Sequence, residues 1–340
     1  MIPRETVTRA IEFTRPERLP INGYGDASDV VCVPHDEVKP PSAAGDPSVD
    51  QWLCRWGKTD APNMGQVKGH PLEDLSRMNN FPWPDPDDPR RYANIPKVLD
   101  EIAADPQRRD KYLMTSVFML LWERMHSLHG FENCLVDLMD DWPAIHELAD
   151  RIVEFDLGIL RNIRRVAGPR IQGFCFSEDW GTEIDVHLSP DLWRRFFLPR
   201  YKRLFSAIHD CGWHVWMHSC GKINRFLPGL IEAGVDVLNM QQPLTNGIDE
   251  IGRLFAGHIC FETLCDIQKT LPRGNKKEIV AEAEHLLNAW GTPAGGFVLG
   301  DYGDHAAIGA APEVKTFMLE AFRQLDPYRK QRKKTAGRRV

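Results

Sequence analysis

The stretch WHVWMHSCGKINRFLPGLIEAGVDVLNM, residues 213–240, decides the fold. It opens on an apolar run, WHVWM, and turns through a polar corner, HSCGK. A helical pattern follows, ends near Gly234, and gives way to a second apolar run, VDVLNM. Apolar run, polar edge, helix and glycine, then a further apolar run, is how a β–α–β unit of a parallel sheet is written in sequence.

The rhythm extends in both directions. Further short apolar runs lie at 112–118, 171–176, 258–262 and 296–300, with helical patterns between them. In residues 143–166, Ile145, Leu148, Ile152, Ile159 and Ile163 recur at helical spacing and predict one buried stripe. Ser189-Pro190 reads as a helix start, and Pro312 opens a last helix with Phe317, Met318 and Phe322 on its apolar side. Gly130, Gly168 and Gly234 fit helix ends. Six alternations are regular, LPINGYG at 19–25 supplies a seventh strand, and an eighth is expected among the irregular first hundred residues. Near-eightfold repetition predicts an α/β fold, a (β/α)8 barrel of the TIM type, as a single domain over residues 1–326. An open doubly wound sheet is the alternative. Neither G-x-G-x-x-G nor G-x-x-x-x-G-K-[ST] occurs, which weakens its nucleotide-binding versions.

The N-terminal part is less regular. After a short helix over 4–13, residues 34–92 are rich in proline and hold Trp52, Trp56 and Trp83. WPDPDDP at 83–89 excludes helix and central strand. This segment is expected to form an excursion, a rim or a lid.

Composition bounds the function. The chain has 340 residues, 42% of them hydrophobic and 26% charged, with a net charge of −6. That is a globular balance and argues against a broad nucleic-acid surface. The final PYRKQRKKTAGRRV, residues 327–340, carries seven Lys or Arg and no acid, and reads as a solvated, disordered tail. No apolar stretch is long enough to predict a membrane span or a signal core. None of the eight cysteines is paired as C-x-x-C, so reduced thiols and a cytoplasmic location are expected.

In a barrel, reactive groups collect at the C-terminal ends of strands. Three constellations fall there. His218 and Cys220, two apart in HSCGK, offer the imidazole nitrogen and thiolate sulfur that zinc prefers; a buried thiol beside a hydrogen-bonded imidazole is the plain alternative. SEDWGTE at 177–183 presents Glu178 and Asp179, carboxylates suited to proton transfer or ligand positioning, or simply to capping. GGFVLGDYGDH at 295–305 adds Asp301, Tyr302, Asp304 and His305, any acid or imidazole of which would serve a metal, or only a polar loop.

The order and spacing of these pieces resemble the uroporphyrinogen decarboxylase superfamily, and within it the corrinoid-linked methyltransferases. The likeness runs from RETVTRAIEFTRPERLP through GHPLEDL (69–75), ERMHSLHGFEN (123–133) and EDWGTEIDVHLSPDLWRRFFLPRYKRL (178–204). HSCGK (218–222), VLNMQQP (237–243), DIQKTLPRG (266–274) and the GGFVL strand continue it.

The resemblance implies a zinc held by His-x-Cys, here His218 and Cys220, and by a later Cys. That later Cys is missing from GDYGDH; His305, Asp301 and Cys265 are the candidates to replace it. It further implies Glu178 and Asp179 as catalytic groups, and Tyr24, Trp180, Gln241 and Tyr302 as substrate contacts. The expected reaction moves a methyl group between a small methylated substrate or thiol carrier and a corrinoid held by a partner protein; a homodimer is also expected. A decarboxylase acting on a carboxylated substrate is the runner-up, followed by a catalytically altered ligand-binding barrel. The decarboxylase branch carries arginines after the first strand, whereas this chain has NGYGDASDV, with Asp26 and no Arg.

Overall fold

The computed structural model describes residues 1–59 and 65–329. Its strands, in chain order, are β1 (Val30–Cys32), β2 (Arg55–Gly57), β3 (Gln66–Gly69), β4 (Tyr112–Met119), β5 (Gly173–Ser177), β6 (His214–His218), β7 (Val237–Met240), β8 (Cys260–Thr263) and β9 (Phe297–Leu299). β2 and β3 form an antiparallel hairpin. The other seven lie in one parallel sheet in the order β1-β4-β5-β6-β7-β8-β9. The apolar runs of the sequence are these strands, displaced by a residue or two at their ends.

LPINGYG supplies only a single parallel bridge, Ile21 to Leu299, yet that bridge closes the ring. Asn22 N–H donates to Leu299 O at 2.8 Å, and Leu299 N–H to Pro20 O at 2.9 Å. On its other side, Asp29 N–H donates to Ile21 O at 2.7 Å, immediately before β1. The eighth strand sought in the first hundred residues is therefore β1, VVC. The fold is a TIM-type barrel.

Alternate residues of each strand face inward. Val30, Tyr112, Met114, Trp216, Val237, Cys260 and Val298 pack together as the floor, closed from below by Val7 and Ile11 of the helix Pro3–Ile11. A fully buried aliphatic or aromatic side chain of this size contributes about 1.5–3 kcal/mol. Two residues further along the strands the same inward positions become polar: Ser116, Ser177, His218, Asn239 and Glu262. The switch from apolar floor to polar mouth locates the chemistry.

Helices cover the outside. Pro143–Ala167 buries the whole expected stripe from Ile145 to Ile163. Ser189 caps Pro190–Phe196 through its side-chain oxygen, 3.2 Å from Leu192 N. The excursion is bound to this layer. Leu72 N–H donates to Leu128 O at 2.9 Å, Asp50 pairs with buried Arg124 at 3.0 Å, and Trp52 meets Phe155 edge-on at 4.6 Å. Trp56 reaches the barrel mouth, its ring 6.1 Å from Phe118 near the end of β4. At the other end of the chain, Tyr328 is packed into the core. Residues 330–340 of the basic tail lie outside the described residues. Among the described residues no helix is long and apolar enough to cross a membrane.

Candidate metal centre

Two strand-end corners meet at the mouth. Ser177 and His218 are register partners on β5 and β6, and Glu178 N–H donates to His218 O at 2.9 Å. Beyond that point SEDWG and HSCGK touch backbone to backbone. A β-carbon on Gly181 would stand 2.6 Å from Lys222 N, and one on Gly221 would run into the Gly181 carbonyl. Lys222 N–H donates to Thr182 O at 2.7 Å. The HSCGK corner is also held from β7: Gly221 N–H donates to Gln242 Oε1 at 2.6 Å, and Asn246 Nδ2 to Gly221 O at 2.9 Å.

This contact brings Asp179 to the His-x-Cys pair. Asp179 Oδ1 accepts from Cys220 N–H at 2.7 Å and lies 3.6 Å from His218 Nε2. His218 Nε2 is 3.2 Å from Cys220 Sγ. One ligand atom from each of the three lies within 4.8 Å of the others, and among the described residues no second such group of three occurs. Burial pushes the Cys220 thiol up, and Asp179, Glu123 and Glu183 add to it. An imidazole nitrogen, a sulfur and a carboxylate oxygen are a donor set that suits zinc. The side chains of His218 and Asp179 keep 22% and 40% of their exposure, which leaves room for a further ligand.

The remaining expected residues divide. His305, the first candidate for the third ligand, is not in the group: its Nε2 is 2.8 Å from Asp301 Oδ1, and Asp301 also pairs with Lys315. Cys265 is buried and directs its thiol to Ile279 O. The third donor beside His218 and Cys220 is Asp179 instead. Glu178 is fully buried and works as a helix cap. Its carboxylate accepts from the N–H groups of Leu121 (2.5 Å), Trp122 (3.0 Å) and Glu123 (3.1 Å), at the start of the helix Trp122–His129. Burial still lifts its pKa to about 7.

Trp180 does not line the mouth. It is fully buried, stacked on Trp122 with ring centres 5.1 Å apart. Burial raises the phenol pKa of Tyr302, and the nearby Cys220 and Asp304 add to it. Tyr24 is buried under Lys315 and beside Asp301, on the side of His305. Gln241 is half-buried, whereas its neighbour Gln242 makes the bond to the HSCGK corner.

Two features escaped the sequence reading. Glu123 is buried, its Oε2 has no hydrogen-bond partner among the described residues, and its pKa is pushed up to about 8 by burial and by Asp179 and Glu178. Its one sequence signal is its place as the first residue of ERMHSLHGFEN, just past a strand end. The second is a polar row across the barrel. His218 Nδ1 is 2.6 Å from Asn239 Oδ1, and Asn22 Nδ2 donates to Glu262 Oε1 at 2.7 Å. Burial raises the pKa of Glu262, and the amides of Asn22 and Asn239 bonded to it offset part of that rise. Strand register would have suggested it, because His218, Asn239 and Glu262 occupy paired positions on β6, β7 and β8.

A barrel with a polar mouth and a metal-type donor set defines a class of enzyme-like folds, and comparison with known proteins narrows it. The family model described as Uroporphyrinogen decarboxylase (URO-D) matches residues 74–324. The chain belongs to that family. Among solved structures it is similar to a methyltransferase from Methanosarcina mazei, at 14% identity and a TM-score of 0.63 over 94% of this chain and 99% of that one. It also matches native xylanase 10B from Thermotoga maritima, at 11% identity and a TM-score of 0.38 over 66% of this chain and 72% of that one. No curated protein sequence matches it.

Proposed function

We propose that this chain is a metal-assisted methyltransferase of the URO-D family. It moves a methyl group between a small methylated substrate or thiol carrier and a corrinoid presented by a partner protein. The observation that carries this reading is the convergence of Asp179, His218 and Cys220 within 4.8 Å at the barrel mouth. These residues would hold zinc, with Asp179 in place of the missing later cysteine. Zinc in that donor set supplies a Lewis acid that lowers the pKa of a bound thiol or stabilises a leaving group.

The chain's own groups supply the rest. Cys220 N–H fixes the Asp179 carboxylate in place before any ligand arrives. Glu123, protonated at neutral pH by its surroundings, holds a proton beside Asp179 and can return it to a departing group. Tyr302 offers an aromatic wall next to Cys220. The flat corrinoid must approach an open mouth, so the partner docks on that face, beside Trp56 and Phe118.

The decarboxylase reading draws support from the family description. A polycarboxylate nevertheless requires cations, and the segment after the first apolar run, NGYGDASDV, carries Asp26 and no Arg. The deciding experiment measures zinc on freshly purified, chelator-free protein and on Cys220→Ser, with methyl transfer to reduced corrinoid followed by absorbance. About one zinc per chain, lost with Cys220, is expected. A stoichiometry near zero in the unsubstituted protein would remove the mechanism.

A further inference from the structure

We infer that Glu262 and Asn239 are positioning residues that set the tautomer of His218 and thereby aim its Nε2 lone pair at the metal position. This deepens the metal reading above and rests on it. Four side chains from four parts of the barrel make the row: Asn22 beside β9, Glu262 on β8, Asn239 on β7 and His218 on β6.

Donor and acceptor counting gives the row a direction. An ionised carboxylate only accepts, while an amide has one accepting oxygen and one donating NH2. Asn22 turns its Nδ2 toward Glu262 Oε1 at 2.7 Å. Asn239 is also hydrogen-bonded to this carboxylate, and the amide can do so only by donating through its Nδ2. With its NH2 turned to Glu262, Asn239 has only its oxygen to offer His218. That oxygen is 2.6 Å from Nδ1, so Nδ1 must carry the hydrogen and donate it. In the neutral ring, the form that binds a metal, the bare nitrogen is then Nε2, which lies 3.2 Å from Cys220 Sγ and 3.6 Å from Asp179 Oδ1.

The row is costly unless it serves something. Glu262 retains only 6% of its exposure, and a buried carboxylate must be compensated by its bonds. Metal-binding histidines commonly donate their second nitrogen to an acceptor that fixes the ring, and losing that acceptor weakens metal binding about 10–100-fold. Here the acceptor is an amide whose own orientation is dictated by a carboxylate one strand further on. Replacing Glu262 by Gln keeps the shape and removes the dictation, because Gln can donate to Asn239 and allow its amide to turn over.

The test uses the full chain, stripped of metal and labelled with 15N-histidine, together with zinc titration against a chromophoric chelator. The unsubstituted protein is expected to show His218 with Nδ1 protonated and Nε2 bare. Glu262→Gln is expected to shift His218 to a mixture of tautomers and to weaken zinc binding about 10–100-fold, with an unchanged circular dichroism spectrum. Should Glu262→Gln not fold, Asn239→Leu is read in the same way, since it removes the acceptor facing His218 Nδ1 while nearly keeping the side-chain shape. An unchanged His218 tautomer in the variant overturns the inference, as does a shifted tautomer with zinc affinity within about two-fold of the original. If the unsubstituted protein takes up no zinc while the tautomer still shifts in the variant, the metal reading fails and the role of Glu262 in setting the ring stands.

Discussion

Gly181 and Gly221 lie against each other so closely that neither has room for a β-carbon. They belong to different strand-end corners, and their contact lets Asp179 reach Cys220 N–H at 2.7 Å. The absent side chains are thus part of the candidate metal centre. Gly181→Ala must push Lys222 N aside from 2.6 Å, and overpacking of this kind costs about 1–3 kcal/mol. Displacing the corner also separates the donors. We expect the variant to remain folded by circular dichroism, to melt lower, and to bind zinc at least about ten-fold more weakly, a loss of about 1.4 kcal/mol. Wild-type affinity in a folded Gly181→Ala protein would show that the two corners are not coupled.

Glu178 should matter for stability rather than for the metal. Its carboxylate gathers three backbone N–H groups at the start of Trp122–His129, and no other acid replaces it there. Leaving such buried donors unsatisfied costs about 1–3 kcal/mol each, so Glu178→Ala should lower the melting temperature by several degrees. Zinc stoichiometry should be unchanged in whatever fraction is folded. Loss of zinc at unchanged melting temperature would reverse the assignment.

These two residues show what was legible in the sequence. The order of apolar runs and helical stripes carried the barrel, because period and punctuation are local properties: Ile145 to Ile163 face inward for the same reason that they recur at helical spacing. The weak seam at Ile21 and the three-residue β1 were harder, since pairing there rests on backbone bonds to Leu299 and Tyr112 that no local pattern announces. In the site, His218 and Cys220 are read from one short segment and end up together. Asp179 was legible as a strand-end acid, but its place beside Cys220 depends on the two glycines of separate corners. Trp180 failed as a pocket residue because a strand end has two sides. Its indole went to the helix layer, against Trp122.

Acid should weaken the fold through two histidines outside the proposed metal group. Burial holds the pKa of His126 down to about 3 and that of His35 to about 4, in each case with a nearby cation adding to the effect. Their ordinary value is 6.5, so the unfolded chain takes up a proton first as pH falls. Their contribution is therefore complete above pH 6.5 and is lost as pH drops from 6.5 toward 3 to 4. At about pH 5 each costs on the order of 2 kcal/mol relative to neutral pH. His126→Phe keeps an aromatic ring against Trp122 and Phe131, whose centres lie 5.1 and 5.7 Å away. Melting temperatures at about pH 7.5 and about pH 5 should fall less for this variant than for the unsubstituted protein. Equal falls would mean that His126 is free to charge in the folded state.

Glu123 offers the sharpest separation of chemistry from metal binding. Its Oε2 has no hydrogen-bond partner among the described residues, it is buried, and its elevated pKa of about 8 keeps it protonated at neutral pH beside Asp179. Gln has the same shape and carries no transferable proton. Glu123→Gln should therefore keep zinc and melt no lower than the unsubstituted protein, while turnover with a methyl donor falls about 10²–10⁴-fold, the usual worth of a positioned acid or base. The Michaelis constant should move little, because the loss lies in the proton-transfer step and not in binding. Substrate titrations on the two proteins, with zinc measured on the same samples, provide the check. A variant that turns over at the original rate would confine Glu123 to packing beside Asp179 and would place the proton elsewhere, with Tyr302 the next group to test.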